Sequence, residues 1–456
     1  MTAHPLQGIT VVALEQAIAA PLATRHLADL GARVIKIERP EVGDFARAYD
    51  TTVRGMSSHF VWANRSKESL TLDLQQEQAR NVLHRLLVKA DVFIQNFAPG
   101  ACDRLGLGTA ELRRRYPRLI ICNLSGYGAT GPYRDQKAYD LLIQSEAALL
   151  SITGTAETPS KVAISIADIA AAMYAYSGIL TALLVRKETG QGTALEISLF
   201  EALAEWMGYP AYYTAYGGSA PERAGGKHAS IAPYGPFAGG DGKVIYLGVQ
   251  NEREWNNFCK QVLRRPELAT DPRFTSNSKR VENRAELEEL ITGIFCQLSS
   301  EAVSRRLEEA RIAHARMNSV EEFLEHPQLT ARNRWRHIDS PVGELRSLIP
   351  PLTMENVEPV MGAVPALGQH TEAILKELGF EKQKRITTKG TKKSEHLQPQ
   401  RAQRNTEEVQ RKIRKSKAKQ KLYHGAGGRG EKQIQITTKG TKKSGKQHLQ
   451  PQRRAK

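Results

Sequence analysis

Between residues 9 and 128 the chain alternates short β-branched runs with longer segments of helical period. ITVVAL (9–14) and ARVIKIE (32–38) read as strands, and PLATRHLADLG between them reads as a helix that stops at Gly31. The same rhythm continues through SLTLDL (69–74), a helix over QEQARNVLHRLLVKA, then DVFIQNF (91–97) and LIICNLSGYG (119–128). Strands that alternate with helices can pair in parallel only through crossovers, so the pattern predicts an α/β fold with a largely parallel sheet. In such sheets ligands collect beyond the carboxyl ends of the strands. That places candidate binding loops at Arg39-Pro40, Asn96-Phe97 and Ser125 to Tyr133.

With 456 residues, the chain exceeds the needs of one small core, and two or more domains are expected. Residues 209–232 shift to Gly, Ala, Pro and Tyr and read as a linker or loop. Residues 233–324 read as a second, smaller α+β unit. Near residue 350 the chain turns proline-rich, and PALGQHTEAILKELGF (365–380) closes the folded body with an amphipathic helix.

A net charge of +17 suggests a nucleic-acid partner until it is located. Residues 381–456 hold 24 Lys/Arg against 5 Asp/Glu, so this tail carries +19 and residues 1–380 carry −2. ITTKGTKKS occurs at 386–394 and again at 436–444, and HLQPQR at 396–401 and 448–453. So basic and repetitive a stretch buries too little apolar surface to fold alone, and it is expected to be a disordered appendage. Any nucleic-acid affinity it has is expected to be non-specific and salt-sensitive.

The four cysteines, Cys102, Cys122, Cys259 and Cys296, form no C-x-x-C pair and have no histidine at metal-ligand spacing. This argues against a zinc site or a disulfide framework and fits a reducing compartment. The N-terminus lacks a basic start with a long apolar core, and no run of 18 apolar residues occurs. A soluble, cytoplasmic protein without a membrane partner is expected. The loop SGYGATGPY matches neither phosphate-binding glycine pattern, and no G-x-S-x-G elbow is present.

One acid stands out. KVAISIADIAAAMYAYSG (161–178) is apolar or small almost throughout, yet Asp168 lies near its middle. An ionised carboxylate there must be paired, capping a helix, or kept for chemistry. Ile169, Met173, Tyr176, Leu180 and Leu184 follow at helical spacing, so by spacing alone Asp168 reads first as an N-cap and second as a functional carboxylate at a helix start, two roles that are compatible.

Several segments carry a resemblance: LADLGARVIKIERPEVGDFAR (27–47), NRSKESLTLDL (64–74), ADVFIQNFAPGACDRLGLG (90–108), PRLIICNLSGYGATGPY (117–133) and PALGQHTEAILKELG (365–379). Together they resemble the class III CoA-transferases, the formyl-CoA transferase and carnitine CoA-transferase family of CaiB/BaiF type. The likeness spans residues 6–380 and excludes the tail. It implies an interlocked homodimer. A large Rossmann-like domain would comprise 1–208 completed by 325–380, with the small domain between. It also implies no metal and no separate cofactor, coenzyme A arriving as the thioester substrate.

The resemblance carries the nucleophile's role onto Asp168, and CoA contacts onto Gln16, Arg39, Leu72, Asn96, Phe97, Arg104 and Lys137. Three of these are cations suited to phosphates. Tyr139, His228 and Arg223 are candidates for the acid substrate, and Gly217-Gly218 or Gly225-Gly226 for a loop that excludes water. The longer glycine run of the formyl-CoA enzyme is absent, which argues against oxalate; small dicarboxylates are expected instead.

The reaction implied is transfer of CoA from an acyl-CoA to a free carboxylic acid through an aspartyl anhydride and an aspartyl-CoA thioester. An α-methylacyl-CoA racemase is the alternative within the family, but the position of its catalytic histidine holds Tyr139 here, a poor base at neutral pH. The alternative of another class is a binding protein tethered to nucleic acid by the tail.

Overall fold

The computed structural model describes residues 4–380. The basic tail and its repeats lie outside the described residues. Six strands form one parallel sheet: β1 (Thr10–Leu14), β2 (Arg33–Glu38), β3 (Lys67–Thr71), β4 (Val92–Gln95), β5 (Ile120–Ser125) and β6 (Ala194–Ser198). Their order is β3-β2-β1-β4-β5-β6, the doubly wound arrangement whose direction reverses between β1 and β4.

Alternation along β1 shows why the sheet is covered on both faces. Val11 and Ala13 pack with the helices Ala19–Asp29 and Ile166–Thr189, whereas Val12 and Leu14 face the helices Glu77–Lys89 and Thr371–Glu377. Both faces of β1 are therefore apolar, as a central parallel strand under crossover helices requires. Ile166–Thr189 is long and apolar enough by composition to cross a membrane, with mean hydropathy 1.5 over its window. Here it serves the core: Ala167, Ala170, Ala171 and Ala175 are fully buried, and such small side chains let it lie close to Ala19–Asp29.

The C-terminal segment returns to the outer edge of the sheet. On β3 the Ser69 N–H donates to His370 Nδ1 at 3.1 Å and the Thr71 N–H to Thr371 Oγ1 at 3.0 Å. An edge that would otherwise offer unpaired backbone groups is thereby closed. The strand read at 69–74 begins two residues earlier and ends at Thr71, because its ladder on β2 runs from Val34↔Lys67 to Glu38↔Thr71. Lys67, the first residue of this strand, is charged yet fully buried against Glu15.

A second, antiparallel sheet contains β7 (Tyr234–Ala238), β8 (Val244–Gly248) and β9 (Ala313–Arg316), packed on a separate core that includes Trp255, Phe258, Phe274 and Phe295. A hairpin of β10 (Trp335–Ile338) and β11 (Leu345–Leu348) follows. The segment read as a linker from residue 209 starts instead as a helix, Gly208–Gly217. Its glycines and tyrosines resemble loop composition, and Gly218 ends it in the left-handed conformation that glycine adopts without strain.

Candidate active site

A cleft of 1090 Å³ opens at the carboxyl ends of the parallel strands. Gln16 follows β1, Arg39 follows β2, Leu72 follows β3, and Asn96 and Phe97 follow β4; all five line it, together with Arg104, Lys137, Tyr139 and Asp168. The reversal point of the sheet is fastened by side chain to backbone. The Gln16 N–H donates to Asn96 Oδ1 at 2.9 Å, and Asn96 Nδ2 donates to the Gln16 carbonyl at 2.8 Å. Asn96 is thus spent on joining β1 to β4, a role its place in QNF did not reveal.

Arg39, Arg104 and Lys137 are exposed, and none forms an ion pair among the described residues. Unpaired cations around an open cleft suit a polyphosphate ligand.

The helix Ile166–Thr189 brings Asp168 in on its first turn. The N-cap position belongs to Ser165, whose side chain makes no capping bond, so the cap reading of Asp168 is corrected. Asp140 does the capping from another helix, Asp140–Glu146: its Oδ1 accepts from the Ala167 N–H at 2.8 Å and more weakly from the Asp168 N–H at 3.4 Å. Asp140 Oδ2 accepts from the fully buried Gln144, whose own Oε1 accepts from the Val162 N–H at 2.9 Å. The segment before Asp168 is locked by this chain of three residues.

With capping assigned elsewhere, the Asp168 carboxylate is left without a hydrogen-bond or ion-pair partner among the described residues. Burial, followed by the negative charge of Asp140, pushes its pKa from 3.8 up to about 7. Tyr49, which lines the same cleft, is pushed to about 12 by burial first, then by Asp44, Asp168 and Tyr139. An unpaired carboxyl of raised pKa in a cleft is characteristic of a group kept for reaction rather than for stability.

Beneath the Gln16–Ala17 turn lies a buried ionic cluster. Lys67 Nζ donates to Glu15 Oε1 at 2.7 Å, and Lys36 Nζ to Asp44 Oδ2 at 2.8 Å, all four side chains being fully buried. Thr24, Pro21 and Asn64 complete the hydrogen bonds. Opposing lysines hold Glu15 below its usual range despite burial, while Lys67 is pushed down to about 7 by burial first and the nearby Lys36. Asp44 Oδ1 also accepts from the Ala17 N–H at 3.0 Å, and Ala17 sits at φ 61°. A non-glycine residue in that region needs such an anchor.

Two candidates for the acid substrate stand apart from this cleft. The Arg223 guanidinium donates to the carbonyls of Thr155, Ser151 and Ala156, and His228 stacks on Tyr234 with ring centroids 5.1 Å apart. Neither lines the cleft, and neither do Gly217-Gly218 or Gly225-Gly226; the Gly225 N–H is bonded to the Gly154 carbonyl. Sequence reading missed Tyr49, His59, Asp140 and Lys161, which do line it. Their only signal was position: Asp140 follows Tyr139 directly, and Lys161 opens the segment that leads to Asp168. Among the described residues no group of three or more His, Cys, Asp or Glu is disposed to hold a metal ion.

Comparison with known proteins gives the geometry its context. The succinyl-CoA:glutarate CoA-transferase of Mus musculus is 31% identical over 382 residues, covering 82% of this chain and 86% of that protein. The acetyl-CoA:oxalate CoA-transferase of Acetobacter aceti is 34% identical over 331 residues, covering 72% and 85%. A crystal structure of a CaiB/BaiF family protein from Brucella suis superposes with a TM-score of 0.73 at 32% identity, covering 83% of this chain and all of that one. The model of CoA-transferase family III matches residues 6–371, and the chain, an enzyme of this class, belongs to that family.

Proposed function

We propose that the protein moves CoA from an acyl-CoA donor to a free dicarboxylic acid, with Asp168 as the covalent carrier. The observation that carries this reading is the unpaired Asp168 carboxylate, which shares one cleft with three unpaired cations. Relatives that act on glutarate and oxalate support the dicarboxylate class.

In the first step an Asp168 oxygen attacks the thioester carbonyl, forming a mixed anhydride and releasing the CoA thiolate. The thiolate then attacks the Asp168 carbonyl carbon, making an aspartyl-CoA thioester and freeing the donor acid. The incoming carboxylate attacks that thioester, and the returning thiolate cleaves the second anhydride to give the new acyl-CoA and restore Asp168. No oxidant, metal or separate cofactor enters the balance, and the thioester's free energy is conserved across each step. Water must be excluded, because it would hydrolyse both intermediates.

Racemisation fits the site less well. The position of that branch's histidine is held by Tyr139, which is 64% exposed, and phenols are poor bases at neutral pH.

The working unit in this reading is a homodimer. Leu184 is 67% exposed, Tyr212 70% and Tyr216 85%, an apolar surface on the helices Ile166–Thr189 and Gly208–Gly217 that a second copy would cover. The four free cysteines fit a reducing, cytoplasmic setting. Incubating the purified protein with succinyl-CoA and a panel of carboxylic acids, with mass spectrometry of the CoA esters formed, tests the activity. New CoA esters of dicarboxylic acids are expected; none from any acid would contradict the reading. Sedimentation at the monomer mass would contradict the dimer.

A further inference from the structure

Five side chains that carry or can take up positive charge line the cleft: Arg39, His59, Arg104, Lys137 and Lys161. With Arg39, Arg104 and Lys137 facing the phosphates of CoA, two remain. His59 and Lys161 line the same cleft as Asp168. The His59 ring meets Tyr49 edge-on with centroids 5.5 Å apart, and Tyr49 is within electrostatic reach of Asp168. Lys161 begins the segment that Gln144 ties to Asp140, the residue that caps the Asp168 turn.

Both groups are held by the fold without being consumed by it. His59 Nδ1 lies 3.5 Å from Asp50 Oδ2, and its Nε2 has no partner among the described residues. Asp50 is itself fixed by the Thr52 and Ser58 hydroxyls. Lys161 Nζ makes one long contact, to the Ala163 carbonyl at 3.5 Å, and no ion pair. The acids Glu15, Glu38 and Asp44 on the same lining are already matched by Lys67, Arg47 and Lys36. Neither His59 nor Lys161 is paired with Asp168, which leaves His59 Nε2 and Lys161 Nζ for a charge set apart from the reacting carboxyl.

We propose that His59 and Lys161 bind the far carboxylate of a dicarboxylic acyl group while Asp168 acts on its near end. This subsite rests on the CoA-transfer reading and adds the residues that select a second negative charge. A monocarboxylate of equal length would leave Lys161 Nζ and His59 Nε2 facing water and bind more weakly.

The test compares two matched reactions: succinyl-CoA with glutarate, and butyryl-CoA with valerate, which have the same chain lengths without the distal carboxylates. The wild-type enzyme is expected to favour the dicarboxylic pair. Lys161→Ala and His59→Ala are each expected to raise KM for glutarate about tenfold, leaving kcat and the valerate KM nearly unchanged. Lys161→Arg is expected to recover most of the loss. Equal effects on both pairs, no effect on either, or a wild-type enzyme that prefers the monocarboxylic pair would overturn the subsite while transfer itself persists. A wild-type enzyme that transfers CoA to neither acid would overturn the subsite, and one that transfers it to no acid of the wider panel would overturn the transferase reading as well.

Discussion

Asp140 Oδ1 accepts the Ala167 N–H at 2.8 Å, so the acid that caps the helix is also the negative charge beside Asp168. One side chain thereby fixes the nucleophile's position and raises its proton affinity. The two effects separate by substitution. Asp140→Asn keeps an oxygen for the cap but removes the charge, whereas Asp140→Ala removes both. The acid limb of the kcat/KM profile, near pH 7 in the wild type, is expected to move to lower pH in both variants. Only the alanine variant is expected to lose stability, by about 1 kcal/mol. An unmoved limb would show that Asp140 acts on geometry alone.

A nucleophile of raised pKa destabilises the fold that holds it. Since the folded protein binds the Asp168 proton more tightly than the unfolded chain, this group's contribution to stability falls as pH rises from about 4 to about 7. Asp168→Asn is therefore expected to be more stable than wild type at pH 8, by on the order of 1–2 kcal/mol after allowance for partial solvation, and indistinguishable at pH 4. Urea unfolding at the two pH values measures the difference. A less stable variant at pH 8 would mean that the carboxylate has a partner in the folded state.

The buried cluster under the Gln16–Ala17 turn predicts a cost remote from the chemistry. Lys67→Met leaves Glu15 with the more distant Lys36 at 3.4 Å, strips Asn64 Oδ1 of the Lys67 donor and leaves the Pro21 carbonyl with the longer bond from Thr24. A loss of roughly 3 kcal/mol in the urea midpoint analysis is expected, as for other buried pairs broken on one side. A neutral outcome would mean the cluster is not ionised as drawn.

Arg39, Arg104 and Lys137 are free cations at the cleft, so alanine at any one is expected to weaken CoA binding roughly tenfold by calorimetry. Raised salt should shrink the wild-type advantage. Unchanged affinity in all three variants would place the phosphates elsewhere.

The central sheet was legible because its signals are local. β1, β2, β4 and β5 are β-branched runs buried on both faces, and the helices between them keep apolar spacing. β3 was shifted because its first residue, Lys67, is buried only by virtue of Glu15, 52 positions away. The same limit applied to the site. Asp168 was visible as an acid in an apolar run, but its capping partner Asp140 lies 28 positions away on another helix. His59, Tyr49 and Lys161 carry no motif, and the tertiary fold alone brings them to one cleft. Arg223 and His228 looked available in the sequence because nothing there shows the carbonyls and the Tyr234 ring that occupy them.

The most direct test of the account is chemical trapping at Asp168. The native enzyme is incubated with succinyl-CoA, quenched with hydroxylamine or borohydride, digested, and analysed by peptide mass spectrometry. Both reagents attack an activated carboxyl, so the peptide bearing Asp168 is expected to gain a hydroxamate or an alcohol, dependent on donor and absent in Asp168→Asn. Unmodified Asp168 during active turnover, or an Asn variant that exchanges CoA at near-native rates, would contradict the assignment of Asp168 as the covalent carrier.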